Sequence, residues 1–338
     1  MQSPPARLTD SNEASTLNRP LSHLLLHTPF LSVNLSRLRV CCWLPINTST
    51  DGEISVIRKS WGRECDELLF FSKQGDAARH VFAHGYEMED QLDLWNIVHR
   101  VWAIVYLQVF PACDYYVKID TDAYFSGFNF KLLVGTSARD CRRCTHKACC
   151  TQANLSSDAS HYIGHVTWHK APDLFVLGAT IAISRGALRR LGPHLPTVPS
   201  TPPNNTKTIK CVAKNSWAED WQFYKCLRVA GVHRPTLTFD KRGREHFFIY
   251  RVSSTLRSSD DGAWLWAGKP RFIGRGTNFS SNRPVTFHTI KFRDDREYYF
   301  AYLNYLMFFS AVDPLPSSSS SSSYVGTAVN AAYLGHAS

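Results

Sequence analysis

Residues Cys113–Gly127 read CDYYVKIDTDAYFSG. The apolar run Tyr115–Ile119 stops at two carboxylates one residue apart, Asp120 and Asp122. A buried strand that ends in Asp-Thr-Asp is either entering an ordinary turn, which aspartate favours, or presenting oxygen ligands to a cation. Alternate residues of a strand face opposite sides only while the strand persists. Once the chain turns, both carboxylates can converge on the crevice at the strand ends, where open α/β sheets bind ligands. Two aspartates there repel each other unless a cation or hydrogen-bond donors satisfy them. Mn²⁺ and Mg²⁺ take oxygen ligands and bridge to phosphate oxygens, so the arrangement suits a metal-diphosphate. Lys118, two residues upstream, adds a basic group beside the pair.

Outward from this stretch, apolar runs alternate with helical patterns. Arg39–Leu44 and Glu67–Phe71 read as short buried strands. Gln91–Phe110 is long and mostly apolar, with Asp93, His99 and Arg100 inside it, and reads as a buried helix ended by Pro111. Asp173–Ser184, DLFVLGATIAIS, is a second apolar strand or a strand-turn pair about Gly178. Arg185–Leu191 opens a helix, Pro193–Asn205 is a proline-rich loop, and Glu219–Val229 is a helix with an acidic start. Arg296–Phe309 reads as an aromatic-rich closing helix. Strands alternating with helices imply an α/β layered sheet. Residues 1–37, rich in Pro, Ser, Asn and Thr, read as a disordered leader or stem, 38–310 as the folded domain, and 311–338, with the run Ser317–Ser323, as a flexible tail.

The length of 338 residues suits one large domain or two modest ones, and a hydrophobic content of 44% is enough for a substantial core. A net charge of +10 is compatible with nucleic acid, an anionic surface or a phosphate-bearing substrate. The basic residues are scattered, with no Lys/Arg block and no basic helix, which argues against nucleic acid. Ten cysteines, together with sequons at Asn34, Asn47, Asn154, Asn204 and Asn278, favour the oxidising lumen of the secretory pathway. The most apolar N-terminal stretch, Leu21–Leu35, is interrupted by two histidines, a proline and an asparagine. It is too short and polar to span a bilayer and makes a poor signal peptide, so membrane association would need a missing or divergent N-terminal anchor. Cys141–Cys150, CRRCTHKACC, contains Cys-x-x-Cys, His146 and two further cysteines. It is a cramped zinc site or a set of disulfides, and disulfides suit a lumenal protein better.

Other polar positions carry competing readings. His288 lies in an apolar, aromatic stretch, where a lone histidine is commonly a satisfied core residue. Glu219 and Asp220 open a helix, where acids complement the dipole. Trp217 and Trp221 suit either sugar stacking or core packing.

The segment KIDTDAY, Lys118–Tyr124, resembles the metal-binding segment of the β1,3-glycosyltransferases that include fringe and, most closely, the core 1 β1,3-galactosyltransferases, where it reads Lys-Ala-Asp-Asp-Asp-Thr-Tyr. Other segments resemble that family in the same order. RVCCWLPI and RKSWGRECDELLFFSK (Arg58–Lys73) are similar to its first two strands and the Thr-Trp-x-x-Arg-Cys segment between them. LWNIVHRVWAIVYLQVFPACDYYVKID is similar to the helix leading into its metal strand. YIGH (Tyr162–His165), GATIAISRGALRRL (Gly178–Leu191), CVAKNSWAEDWQFYKCL (Cys211–Leu227) and VTFHTI (Val285–Ile290) complete the series. The matches cover about residues 38–309, while Gly135–His161 finds none.

The resemblance implies a GT-A type, Rossmann-like glycosyltransferase fold with a mixed central sheet flanked by helices. It implies an inverting transfer of hexose, galactose from UDP-galactose, in β1,3 linkage onto a GalNAc-Ser/Thr O-glycan or similar glycan or glycopeptide acceptor. Residue by residue, Asp120 and Asp122 would contact the donor ribose and the metal, with Lys118 among the donor-binding residues. His288 would be the third ligand of Mn²⁺, or of Mg²⁺, and Glu219 or Asp220 the catalytic base. Cys211 would pair with Cys226, and Cys65 with Cys41 or Cys42. A Golgi or secretory-pathway lumen and membrane association follow from the same likeness, and a homodimer is compatible with it. Two departures bear on activity. Thr121 replaces the middle acid of the metal segment, and Leu177–Ile181, LGATI, replaces Gly-Gly-Ala-Gly-Tyr near the acceptor. The alternatives are a sister enzyme using another UDP-sugar, such as a fringe-like GlcNAc transferase, and an inactive chaperone-like relative.

Overall fold

In the computed structural model the elements run β1 (Val40–Pro45), α1 (Asp51–Lys59), β2 (Glu67–Ser72), β3 (Val81–Ala83), α2 (Leu94–Gln108), β4 (Tyr115–Ile119), β5 (Tyr124–Phe125), α3 (Gly127–Thr136), β6 (Tyr162–Lys170), β7 (Asp173–Ser184), α4 (Arg185–Leu191), α5 (Glu219–Val229) and β8 (Thr286–Phe287). The structure describes residues 37–46, 51–85, 94–136, 155–170, 173–195, 211, 218–239, 244–249, 281 and 283–288. β1 (VCCWLP) is apolar throughout and β4 (YYVKI) is apolar except for Lys118, and both are buried almost end to end, as strands covered on both faces are. They pair in parallel at the centre of the sheet, with Cys41 opposite Tyr116 and Trp43 opposite Lys118. β2 and β3 continue in parallel beyond β1, while β7 and β6 add antiparallel strands beyond β4. The result is a mixed six-stranded sheet in the order β3-β2-β1-β4-β7-β6, and β5 and β8 form a separate antiparallel pair. This is the α/β layering that the strand-helix alternation implies and the Rossmann-like mixed sheet that the resemblance implies.

Strand alternation sorts the core into two layers. Cys42, Leu44, Tyr115, Val117 and Ile119 pack on one face with Ile57, Trp61 and Phe125. Cys41, Trp43, Tyr116, Ile181 and Ile183 pack on the other with Trp95, Trp102 and Phe223. On α2 the residues Trp95, Val98, Trp102 and Val105 recur at helical spacing and are fully buried. The Trp102 ring meets Trp43 edge-on at 5.1 Å and stacks on Phe223 of α5 at 5.1 Å. Such aromatic pairs contribute roughly 0.5–1.5 kcal/mol beyond their burial, and here they seat α5 against the sheet.

Among the described residues three disulfides close on this core: Cys42–Cys65, Cys211–Cys226 and Cys41–Cys113. The first resolves the two partners open to Cys65, the second is the pairing the resemblance implies, and the third was not anticipated. Cys41–Cys113 joins the start of β1 to the residue just ahead of β4 across 72 positions. In the chain-entropy picture, a loop of that length stabilises the fold by about 4 kcal/mol.

β7 is one strand through Gly178, so the strand-turn alternative for 173–184 does not hold; its ladder with β6 resumes on either side of Gly178 across a register shift, while its ladder with β4 lies beyond it, at Thr180–Ser184. The expected helix over 91–110 is α2, whose described part begins at Leu94. β3, β6 and the short pair β5–β8 were not anticipated as strands. The leader to residue 36, the serine-rich tail, the helix expected over 296–309, Cys141–Cys150, Trp217, the five sequons and the proline-rich loop beyond Leu195 lie outside the described residues. Among the described residues no helix is long and apolar enough to cross a membrane.

Candidate active site

From β1 the sheet grows one way through β2 and β3 and the other way through β4, β7 and β6. The winding therefore reverses between β1 and β4, and in open α/β sheets ligands bind in the crevice beyond the carboxyl ends of strands at such a point. Asp120 is the first residue past β4. Its N–H still donates to the Ala179 carbonyl at 3.1 Å, and its own carbonyl accepts from Ala123 N–H at 3.0 Å. The chain thus turns over Asp120–Ala123. The turn reading and the ligand reading of Asp-Thr-Asp describe one feature, because the same turn brings both carboxylates to one side.

β5 follows at once and pairs with β8, Tyr124 opposite Phe287 and Phe125 opposite Thr286. Continuing that register sets His288 across from Ala123 and diagonal to Asp122. The imidazole Nε2 lies 2.9 Å from Asp122 Oδ1 and 3.5 Å from Asp120 Oδ2. One ligand atom from each of the three residues falls within 4.8 Å of the others. β8 is held on both edges. Ser126 N–H donates to the Val285 carbonyl at 2.7 Å and Asn129 Nδ2 to the Pro284 carbonyl at 2.8 Å. On the other side Val285 N–H donates to the His246 carbonyl at 2.6 Å and Phe248 N–H to the Thr286 carbonyl at 3.0 Å. The three side chains remain 22–30% exposed. Burial alone would lower the pKa of His288, but its hydrogen bond to Asp122 and the charges of both aspartates raise it. Two carboxylates and an imidazole at this spacing could hold one divalent metal ion.

Behind this cluster is a second, buried one. Alternation places Lys118 on the face of β4 that α2 and α5 cover, and it is 1% exposed. Its Nζ donates to Asp120 Oδ1 at 2.6 Å, to Glu219 Oε1 at 2.5 Å and to the Gly178 carbonyl at 2.7 Å. Glu219, in the first turn of α5, is 5% exposed, and its Oε2 has no hydrogen-bond partner among the described residues. Asp220, half-buried beside it, accepts from Gly178 N–H at 3.2 Å and from its neighbour Trp221 N–H at 2.7 Å. Gly178 is required by this packing: a β carbon there would lie 2.5 Å from Glu219 Oε1.

The electrostatics follow from one ammonium shared among three carboxylates. Burial pushes Glu219 up to about 7; Lys118 opposes the shift, and Asp120 and Asp220 add to it. Burial likewise raises Asp220, against its two backbone hydrogen bonds and Lys118. Burial would lower the pKa of Lys118, but the charges of Asp120 and Glu219 outweigh it and the pKa is raised. The lysine therefore keeps its proton while the cluster as a whole is short of positive charge.

All six residues singled out in the sequence thus lie along one path: His288 and Asp122 to Asp120, Asp120 to Lys118, Lys118 to Glu219, with Asp220 next on α5. Trp221 packs against Phe175 at 5.4 Å and Tyr224 at 5.3 Å, which is the core-packing reading. Gly178 belongs to the site; from sequence it marks a point where the strand could turn and a position in the LGATI segment that the resemblance sets near the acceptor. The segment 245–248, which braces β8, gave no local signal at all.

No family model matches the chain. Among solved structures it is similar to a glycosyltransferase involved in the glycosylation of the major capsid of PBCV-1, at 10% identity and TM-score 0.34, over 78% of this chain and 99% of that one. It is also similar to the galactosyltransferase LgtC in complex with donor and acceptor sugar analogs, at 10% identity and TM-score 0.36, over 81% and 97%. At these scores neither likeness carries weight, and the functional reading rests on the site.

Proposed function

We propose that the chain is an inverting, metal-dependent GT-A glycosyltransferase that moves a hexose, galactose from UDP-galactose, in β1,3 linkage onto a GalNAc-Ser/Thr O-glycan or related glycan acceptor. The observation that carries this is the continuity of the site: a metal-capable Asp120–Asp122–His288 set at the switch point of the sheet, joined through Lys118 to an acidic pair at the start of α5. The ordered sequence resemblance supplies the donor and linkage.

Asp120, Asp122 and His288 would hold Mn²⁺ or Mg²⁺, and Asp120 and Asp122 would also face the donor ribose. Bound there, the ion supplies Lewis-acid neutralisation of a leaving diphosphate. The acceptor hydroxyl must lose its proton as it attacks the anomeric carbon from the face opposite the leaving group, and a carboxylate takes it. Of the two acids, Asp220 is the better placed as base. It is the more exposed, its oxygens are oriented by backbone N–H groups, and burial raises its proton affinity. Glu219 is sealed beneath it and tied to Lys118. Holding donor and acceptor in line supplies the proximity contribution. The three disulfides suit the Golgi or another secretory lumen.

A chaperone-like relative has no use for a metal set, and the convergence of all three ligands here disfavours it. Thr121 and Leu177–Ile181 make a sister donor or acceptor the closest rival. The test is a screen of UDP-sugars against simple O-glycan acceptors, with Mn²⁺ and with chelator. Galactose transfer to a GalNAc acceptor in Mn²⁺ alone is expected. Transfer of a different sugar would refute the donor, and no transfer or hydrolysis of any UDP-sugar would refute the enzyme.

A further inference from the structure

We infer that Lys118 is a positioning residue that locks the outer and inner halves of the site together, acting through Asp120 and Glu219 without touching the donor; this rests on the glycosyltransferase reading. An ammonium has three N–H donors, and all three of Lys118 are spent on protein oxygens: Asp120 Oδ1, Glu219 Oε1 and the Gly178 carbonyl. At 1% exposure the group has neither a free donor nor a path to a phosphate. The atoms it chooses matter. It takes Oδ1 of Asp120, and the other oxygen, Oδ2, is the one that faces His288. It takes Oε1 of Glu219 and leaves Oε2 unpartnered. Each carboxylate is thus gripped through one oxygen, and the open Asp120 keeps its second oxygen for the crevice, which is how outer-shell partners orient ligand groups. The Gly178 carbonyl fixes the ammonium to β7, on the same residue whose N–H orients Asp220. One lysine therefore sets the pose of a metal-capable aspartate, of Glu219, and indirectly of the acid beside it.

The test is a double-mutant cycle with Lys118→Met and Glu219→Gln, read in kcat, in KM for the UDP-sugar and in melting temperature. Loss of an outer-shell partner costs about 10–100-fold. Lys118→Met is expected to lower kcat by that factor in the native background and by a smaller factor in the Glu219→Gln background, where chiefly the grip on Asp120 is left to lose. A rise in KM at unchanged kcat, or the same loss in both backgrounds, overturns the inference. Melting supplies a readout independent of activity. Lys118→Met leaves buried carboxylates without their counter-charge and should melt several degrees lower, and adding Glu219→Gln should recover most of that loss. Additive melting shifts overturn the link even if the wild-type protein transfers no sugar. An inactive wild type with coupled melting refutes the glycosyltransferase reading and leaves the link standing. If Lys118→Met alone does not fold, the double variant carries the comparison against Glu219→Gln in kcat and KM.

Discussion

The outer and inner halves of the site hold the same kinds of group under opposite conditions. Asp120, Asp122 and His288 are about a quarter exposed, and on the crevice side a single imidazole offsets two carboxylates. Lys118 and Glu219 are buried and already carry their own ammonium-carboxylate bond. The outer half is open and short of positive charge, which is what a cation site needs. The inner half is closed, and its lysine does the work a cation would otherwise do. Histidines show the same division. His288, beside two carboxylates, has its pKa raised, whereas His99, buried on α2 and stacked on Trp95, has its pKa lowered by burial to about 4.

Three changes test that division. Asp122→Ala removes an outer ligand and leaves the inner half intact. Metal-dependent turnover should fall by more than about 100-fold, beyond the cost of disturbing a supporting group, with the melting temperature little changed. Equal turnover in the variant would dissolve the outer half as a metal site.

The second probe is pH. The folded pKa of His99 lies below its unfolded value of 6.5, so the unfolded chain takes up the proton first. Stability should be present at neutral pH and be lost as pH falls from 6.5 towards 4, by about 3 kcal/mol at 1.36 kcal/mol per pKa unit. Urea unfolding at pH 7 and pH 4.5 measures it. His99→Leu should flatten this part of the profile, and an unchanged profile in that variant would remove His99 as its source.

Gly178→Ala is the subtlest. It places a methyl group against Glu219 and should cost about 1–3 kcal/mol through overpacking, while slowing turnover without altering any outer residue. A variant as stable and active as the parent would mean that the inner half is more loosely built than its distances indicate.

Much of this was legible in the sequence where the signal was local. The apolar runs of β1, β2 and β4 and the helical spacing of α2 were visible as patterns, and Asp-Thr-Asp after an apolar run already posed the right question. His288 and the Glu219–Asp220 pair were legible only through the ordered resemblance, since each alone fits a core histidine or a helix start. The partners of Lys118 were not legible. They depend on the antiparallel register of β4 with β7, which sets Lys118 opposite Ile181 and within side-chain reach of the Gly178 carbonyl, and on the aromatic stack that seats α5. Cys41–Cys113 was missed for a similar reason: ten cysteines permit many pairings, and the choice is made by which residues the sheet brings within reach.

The central claim is that the outer half is a metal-dependent nucleotide site. Its most direct test is calorimetric titration of UDP into the wild-type protein, with Mn²⁺ and with EDTA, and into Asp122→Ala. The account predicts UDP binding by the wild type in Mn²⁺ alone, and loss of that binding in the variant. UDP binding of equal strength in EDTA, or no binding by the wild type in Mn²⁺, would contradict it.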